Sequence, residues 1–500
     1  MIVVGIFLLV MSAVFLLTMS VSPMNALEAY KKSLRERGEK VEFSELSLRP
    51  VPAESNSVEA VEQAFRLFGS GEQKVPYAMQ MVVPGKALIG WMQPAARGYN
   101  FVSSWDDFIA EEAADRPGIA LLHQVLDRPQ LDFQLNYKMG FRLVLPQLGP
   151  LRQAGQKLAI AITCDLYEGH DTEAATNILT MLGLVQRNET EGLLISHLVR
   201  VAMANATVAP TWDFLQSTNV TDTQLASLQK GWEQLNFLND ARQAFRMERP
   251  WAVDAIQKTR VSHGEFVKYF GSSSGLMGSG GVSGWEELTE KPRYMMSEAM
   301  WRSSWSYTDE LRTLQNDTII IEALWAMQTN QSQCYKADYD AMVARLTAGT
   351  SASAGAAFFH ALKIPDLGEF FNDTSYASSM VRRMIRMEAA RRVVVVAIAL
   401  KRYQLKHGSW PSSLSELAPE FLASIPFDPF DGKPLRYRPN ADGTYLLYCV
   451  GDDGVDDGGN PTLPAGTTSS SLNWQKARDW VWPQPATAAE IESFYAHAPK

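Results

Sequence analysis

The densest run of side chains able to do chemistry is Val450-Gly-Asp-Asp-Gly-Val-Asp-Asp-Gly-Gly-Asn460, where Asp452, Asp453, Asp456 and Asp457 fall close together. Carboxylates at this spacing repel one another unless they are solvated, partly protonated or share a cation. The interleaved glycines allow tight and left-handed turns. Hard oxygen donors on such a loop suit Ca2+ better than zinc or Mg2+. The spacing is not that of an EF-hand, which sets alternating acids before a glycine and closes with a glutamate. On these residues alone, a cation site and a solvated acidic turn both remain open.

Other chemistry is thinly represented. Gly271-Ser-Ser-Ser-Gly275 matches the GxSxG nucleophile elbow, but it runs on into more Gly and Ser where the elbow requires a helix, so it reads as linker. His263-Gly-Glu265 has the HxE of zinc deaminases without the downstream PCxxC that completes their metal site. The chain shows no HExxH, no Walker-type phosphate loop and no GxGxxG opening a helix after a strand. His123, His170, His197 and His360 are scattered through apolar helical stretches, where a histidine is ordinarily a hydrogen-bonded structural residue. Cys164, Cys334 and Cys449 lie far apart with no CxxC, which argues against a zinc finger, a redox pair or a disulfide framework.

The elements that must position the acidic loop are mostly helical. Ala26 to Glu39 reads as a helix, ended by the Arg49-Pro-Val-Pro52 linker. Val75 to Val102 suggests short strands or an irregular lid. From Ser104, which with Asp107 offers a capping box, to about Arg249 the helical period dominates. Lys157 to Leu184 and Glu191 to Val208 are long apolar stripes. Thr221-Asp-Thr-Gln224 is a capping box opening a helix with Leu225, Leu228, Trp232 and Leu235 on one face. Gly271 to Gly284 is a Gly/Ser loop, and helical patterning returns from Ser297 to about Leu346. A long helix is predicted from about Tyr376 to His407, with Gly408 as its stop. Its Val393 to Leu400 core is too short to cross a bilayer and is expected to pack against the final domain. Ser413 and Glu416 cap a short helix, and Leu435–Arg438 and Tyr445–Val450 read as a hairpin turning at Asn440-Ala-Asp-Gly443. No fixed repeat is present.

Bulk properties set the outer bounds. With 500 residues, 20% charged and 46% hydrophobic, the chain can build two or three ordinary globular cores. A net charge of −9 argues against nucleic acid as a partner. Ile2 to Met19 is an uncharged apolar run that nearly spans a bilayer core. No Lys or Arg precedes it and no small-x-small exit follows, so an uncleaved anchor is expected over a signal peptide. Lys31, Lys32, Arg35, Arg37 and Lys40 beyond it are interleaved with acids, so their count leaves the side of the membrane open.

Ala397-Ile-Ala-Leu-Lys-Arg-Tyr-Gln-Leu-Lys-His-Gly-Ser-Trp-Pro411, followed by Leu414 to Leu417, Ile425-Pro-Phe-Asp-Pro429, Asp431 to Tyr437 and Gly443 to Gly454, resembles the globular end of type II secretion major pseudopilins. The resemblance covers roughly residues 385–460 and implies a long helix, a hairpin and a calcium-binding loop. By position it implies the Val450 carbonyl and Asp453 as ligands, with Asp456, Asp457 and Asn460 within reach. The pseudopilin processing site is missing and a large helical region intervenes, so a polymerising pilin subunit is not expected. The whole chain also resembles a set of membrane-anchored bacterial envelope proteins, a likeness that implies no particular activity.

The expected fold is therefore mainly α. A transmembrane anchor (1–22) leads to a juxtamembrane helix, Pro-rich linker and irregular segment (23–103), then an α-helical bundle or array (104–375). A small α+β domain with an antiparallel hairpin (376–460) and a tail (461–500) complete it. The expected role is a noncatalytic protein of the bacterial envelope, single-pass in the inner membrane with a periplasmic body that binds a protein partner, its end stabilised by Ca2+. An envelope hydrolase working through His197, His170 or Glu191, and a secretion or pilus accessory protein, are the alternatives.

Overall fold

The computed structural model describes residues 22–46, 51–68, 89–90, 105–270, 295, 298–329, 333–349, 374–464 and 474–485. The apolar run Ile2–Met19, the capping box expected at Ser104, the 271–284 loop with its GxSxG and His360 lie outside them. Among the described residues no helix is long and apolar enough to cross a membrane.

The architecture is mainly helical with a small antiparallel sheet near the C-terminus, as expected. Helix α1 (22–36) does not stand free. Its Leu27 and Leu34, with Val41 beyond it, pack on Val253 and Leu314. Lys31 is buried there, with its ammonium 2.6 Å from Glu310, which also accepts from Arg260. The body is built from α2 (Val58–Leu67), α3 (Trp105–Ala113), α4 (Arg116–Leu122), α5 (Leu148–Glu168), α6 (Asp171–Arg187), α7 (Leu194–Gln216), α8 (Asp222–Glu233), α9 (Phe237–Val261), α10 (His263–Phe270), α11 (Ser306–Thr329) and α12 (Tyr335–Gly349). The apolar stripe from Lys157 to Leu184 is divided between two helices. Gly169 at φ +79° caps α5 in the left-handed region that glycine enters freely, and α6 turns back antiparallel against it. Helix α8 opens on the Thr221–Gln224 capping box predicted for it.

Helix α13 (Thr374–His407) organises the rest. Val393 to Leu400 is buried throughout, because this part of the helix is covered by helices of the body, α7, α8, α9 and α12, and by the C-terminal sheet, while Arg382 and Arg383 nearer its start stay exposed. An all-round apolar surface is what such a position needs, and it overrides the strand preference of Val393 to Val396. The body and the C-terminal unit consequently share one continuous core, from Val61 through Leu228 and Val394 to Trp482.

Strand β1 (Ile89–Gly90) pairs antiparallel with β5 (Gln484–Pro485). The main sheet has the order β2 (Arg436–Pro439), β3 (Tyr445–Cys449), β4 (Trp480–Val481), all antiparallel, with Arg436 opposite Tyr448 and Cys449 opposite Trp480. The predicted hairpin is β2–β3, closed by Asn440 and Thr444. Strand β4 lies in what the sequence suggested was only a tail. Trp480 and Trp482 are both buried, so this segment closes the sheet.

Candidate functional site

The acidic loop leaves β3 at Val450 and is shaped by its neighbours. Gly451 has φ +74°, and a Cβ there would come within 2.7 Å of the Trp480 indole nitrogen and 3.0 Å of the Arg478 carbonyl, so only glycine fits. Gly459, at φ +83°, likewise sits where a Cβ would meet Leu446 at 2.8 Å. The loop is thus pressed between the edge of the sheet and the segment carrying β4.

Each acid of the run has a distinct partner. Asp452 faces α13, where Arg386 Nε bonds both its oxygens at 2.9 and 3.0 Å and Arg382 stands at 3.3 Å. Asp453 is exposed, and its Oδ1 accepts the Val455 amide at 3.0 Å. Asp456 accepts from Arg436 Nε at 3.1 Å, the Tyr448 hydroxyl at 3.0 Å and the Gly458 amide at 3.0 Å. Partial burial works against the Asp456 carboxylate, but these donors outweigh it and hold its pKa below the usual range. Asp457 lies 3.6 Å from Arg478. Asn460 Oδ1 accepts from the backbone and hydroxyl of Thr462.

Two fully buried carboxylates, neither singled out in the sequence, hold the loop's ends. Asp428 Oδ2 accepts the Val450 amide at 2.7 Å and Arg436 at 3.0 Å. Burial pushes its carboxyl up to about 6 against the Phe430 and Val450 amides that stabilise the anion. Asp479 accepts the amides of Asp457 at 3.4 Å and of Gly459 and Asn460 at 2.8 Å each. Arg436 is the hub, since its guanidinium contacts Asp428, Asp431 and Asp456 at once. A rigid fork of five N–H donors suits three carboxylates in this way.

The positive charge that the acids call for therefore comes largely from arginines of the same chain. Of the five residues expected around a cation, Val450 is fully buried with its amide on Asp428, Asp456 and Asp457 face Arg436 and Arg478, Asn460 closes its own turn, and Asp453 keeps an exposed carboxylate. Among the described residues, no three His, Cys, Asp or Glu side chains are grouped to hold one metal ion. Of the three aspartates among these donors, Asp453 is the one with no arginine partner among the described residues, so it is the carboxylate best placed to meet an added cation.

Most of the described histidines and acids of the body singled out from the sequence are engaged by neighbouring side chains. His197 is buried 3.4 Å from Arg200; burial and that guanidinium push its pKa down to about 3, so it is neutral. Glu191 is buried and accepts from Gln147 at 2.9 Å, and burial raises its carboxyl. His170 lies on the surface 3.6 Å from Glu168. His123 meets Asn177, which leads to Asp165, Arg116 and Glu112. His263 bonds Glu298 at 2.8 Å. Two cavities formed by described residues are lined by neither His197, His170 nor Glu191.

The node joining body to C-terminal unit is Glu388 on α13. It accepts from Arg391 at 2.7 Å at each oxygen and from Arg392 at 2.8 Å. Arg391 reaches the Trp232 carbonyl of α8, while Arg392 reaches the Phe427 carbonyl and the Tyr335 hydroxyl. Burial alone would raise the Glu388 pKa, but the two arginines bring it down to about 2.

Comparison of the chain with protein-family models, with curated proteins and with solved structures gives no match.

Proposed function

We propose that this chain is a noncatalytic, membrane-tethered protein of the bacterial envelope, single-pass in the inner membrane with its body in the periplasm. In this reading the helical body and the C-terminal unit act as one rigid surface for a protein partner. The observation that carries it is how the ionisable groups are used. Among the described residues, the histidines and acids singled out for chemistry are paired with neighbours, satisfied by arginines or loop amides, or left on the surface, and two cavities formed by described residues lie elsewhere. A hydrolase needs a nucleophile or base held open to substrate.

The pseudopilin-like reading of the C-terminal unit is supported by the order of long helix, capped turn, hairpin and acidic loop. It favours an accessory role beside pilin-family proteins over an enzymatic one. Calcium is proposed only as a ligand of the Asp453 side of the loop, because Asp456 and Asp457 already face arginines.

The test is fractionation of cells expressing the full chain. We expect it to stay with membranes through alkaline carbonate washing and to become protease-sensitive only when the outer membrane is opened. Release by carbonate, or protection of the body until the inner membrane is lysed, would overturn the tether or the periplasmic placement respectively.

A further inference from the structure

Behind the hairpin turn, a cavity of about 90 Å³ opens between the end of α7, helix α13 and the segment Trp482–Pro485. At roughly 10–15 Å³ per water it has room for about six waters, or one small organic molecule. Leu215, Gln216, Lys401, Trp410, Tyr445 and Trp482 line it.

Its walls combine aromatic faces with polar groups, and most of these are fixed by contacts within the protein. Trp410 and Tyr445 pack edge to face with ring centroids 4.7 Å apart. The Trp410 indole N–H is given to the Gly443 carbonyl at 2.7 Å, and the amides of Gln216 and Gln484 to the Trp212 and Tyr445 carbonyls. These donors are therefore occupied within the protein.

Lys401 is not. It has no hydrogen bond or ion pair with any described residue, although Arg402 beside it pairs with Asp222 and Lys406 pairs with Glu420. Burial lowers its pKa and no carboxylate offsets the effect. A half-buried ammonium without a counterion is costly unless something answers it. One cation facing aromatic walls suits a monoanion with a flat apolar body. A phosphate would call for several donors or an arginine fork.

We propose that this cavity binds a small monocarboxylate, its carboxylate on the Lys401 ammonium and its apolar part against Trp410, Tyr445 and Trp482. Neither the acidic loop nor the membrane tether enters this assignment.

The test uses the full chain in detergent, titrated calorimetrically with benzoate and with benzamide, its neutral isostere. Indole fluorescence from Trp410 and Trp482 gives a second readout. Benzoate is expected to bind with about millimolar affinity, and benzamide about tenfold or more weaker, the factor carried by one charge-assisted hydrogen bond. Lys401→Met should lose about the same factor for benzoate and none for benzamide. Its melting temperature should be no lower than that of the wild type, because an unpaired charge has been removed. Equal binding of the two compounds by the wild-type chain would overturn the proposal without recourse to any variant. So would undiminished benzoate binding in Lys401→Met, or the absence of benzoate binding at about 20 mM, well above a millimolar dissociation constant.

Discussion

Replacing Glu388 by glutamine removes one charge from the junction where α8, α12, α13 and the segment before β2 meet. The carboxylate is buried and is flanked by two guanidiniums that also reach the Trp232 and Phe427 carbonyls. Glutamine keeps the shape and one acceptor but leaves two arginines with no anion between them. Removing one partner of a buried ion pair typically costs about 3–5 kcal/mol. The depressed pKa of Glu388 gives a second figure. A fall from the ordinary 4.5 to about 2 corresponds to about 3 kcal/mol, at roughly 1.4 kcal/mol per pH unit. The pKa is depressed on folding, so this stability is fully present above pH 4.5 and is lost as pH falls from there toward 2. Urea unfolding of wild type and Glu388→Gln should therefore show a gap of about 3–4 kcal/mol at pH 7, with the same m-value, closing toward pH 2. A gap under about 1 kcal/mol at pH 7, or one that persists undiminished at pH 2, would refute the assignment of this node as the junction.

Asp479→Ala should open the acidic loop locally, since three backbone N–H groups lose their acceptor at about 1–3 kcal/mol for each that stays buried. Hydrogen exchange at Asp457, Gly459 and Asn460 should speed up by tenfold or more, and unchanged protection there would contradict the anchoring role. Calcium should raise the melting temperature of the wild-type chain, by the equivalent of about 2.7 kcal/mol at a hundredfold excess over its dissociation constant. No rise, or an equal rise in Asp453→Ala, removes calcium from the account.

Much of this organisation was legible in the sequence, and the residues show why. The capping boxes at Thr221 and Ser413 are local, since donor and acceptor lie three residues apart, and both are found where expected. The helix Thr374–His407 was legible from its length and its glycine stop. The hairpin was legible from alternation around Asn440 to Gly443. What could not be read is non-local. Asp428 and Asp479 are two isolated acids until the fold brings them to the two ends of one loop. The arginines that neutralise Asp452 come from α13, the nearer of them, Arg386, 66 residues away in the chain. Strand β4 is only two residues long, yet Trp480-Val-Trp482, an aromatic and β-branched triplet, was a usable signal for it. Lys401 is one of several basic residues in the Ala397–Pro411 stretch, and a missing partner is invisible until its neighbours are in place.

The position of α13 also bears on how the molecule is made. The helix fills a slot between layers that precede it and a sheet that follows it, so the apolar faces of α7, α8 and α9 stay open to water until Thr374–His407 has been synthesised. Strand β4, which closes the sheet, emerges later still. Domains ordinarily fold one after another as a chain is translated, but here the first half cannot finish without the last hundred residues or so. A product truncated before Thr374 would carry an open apolar trough prone to aggregation.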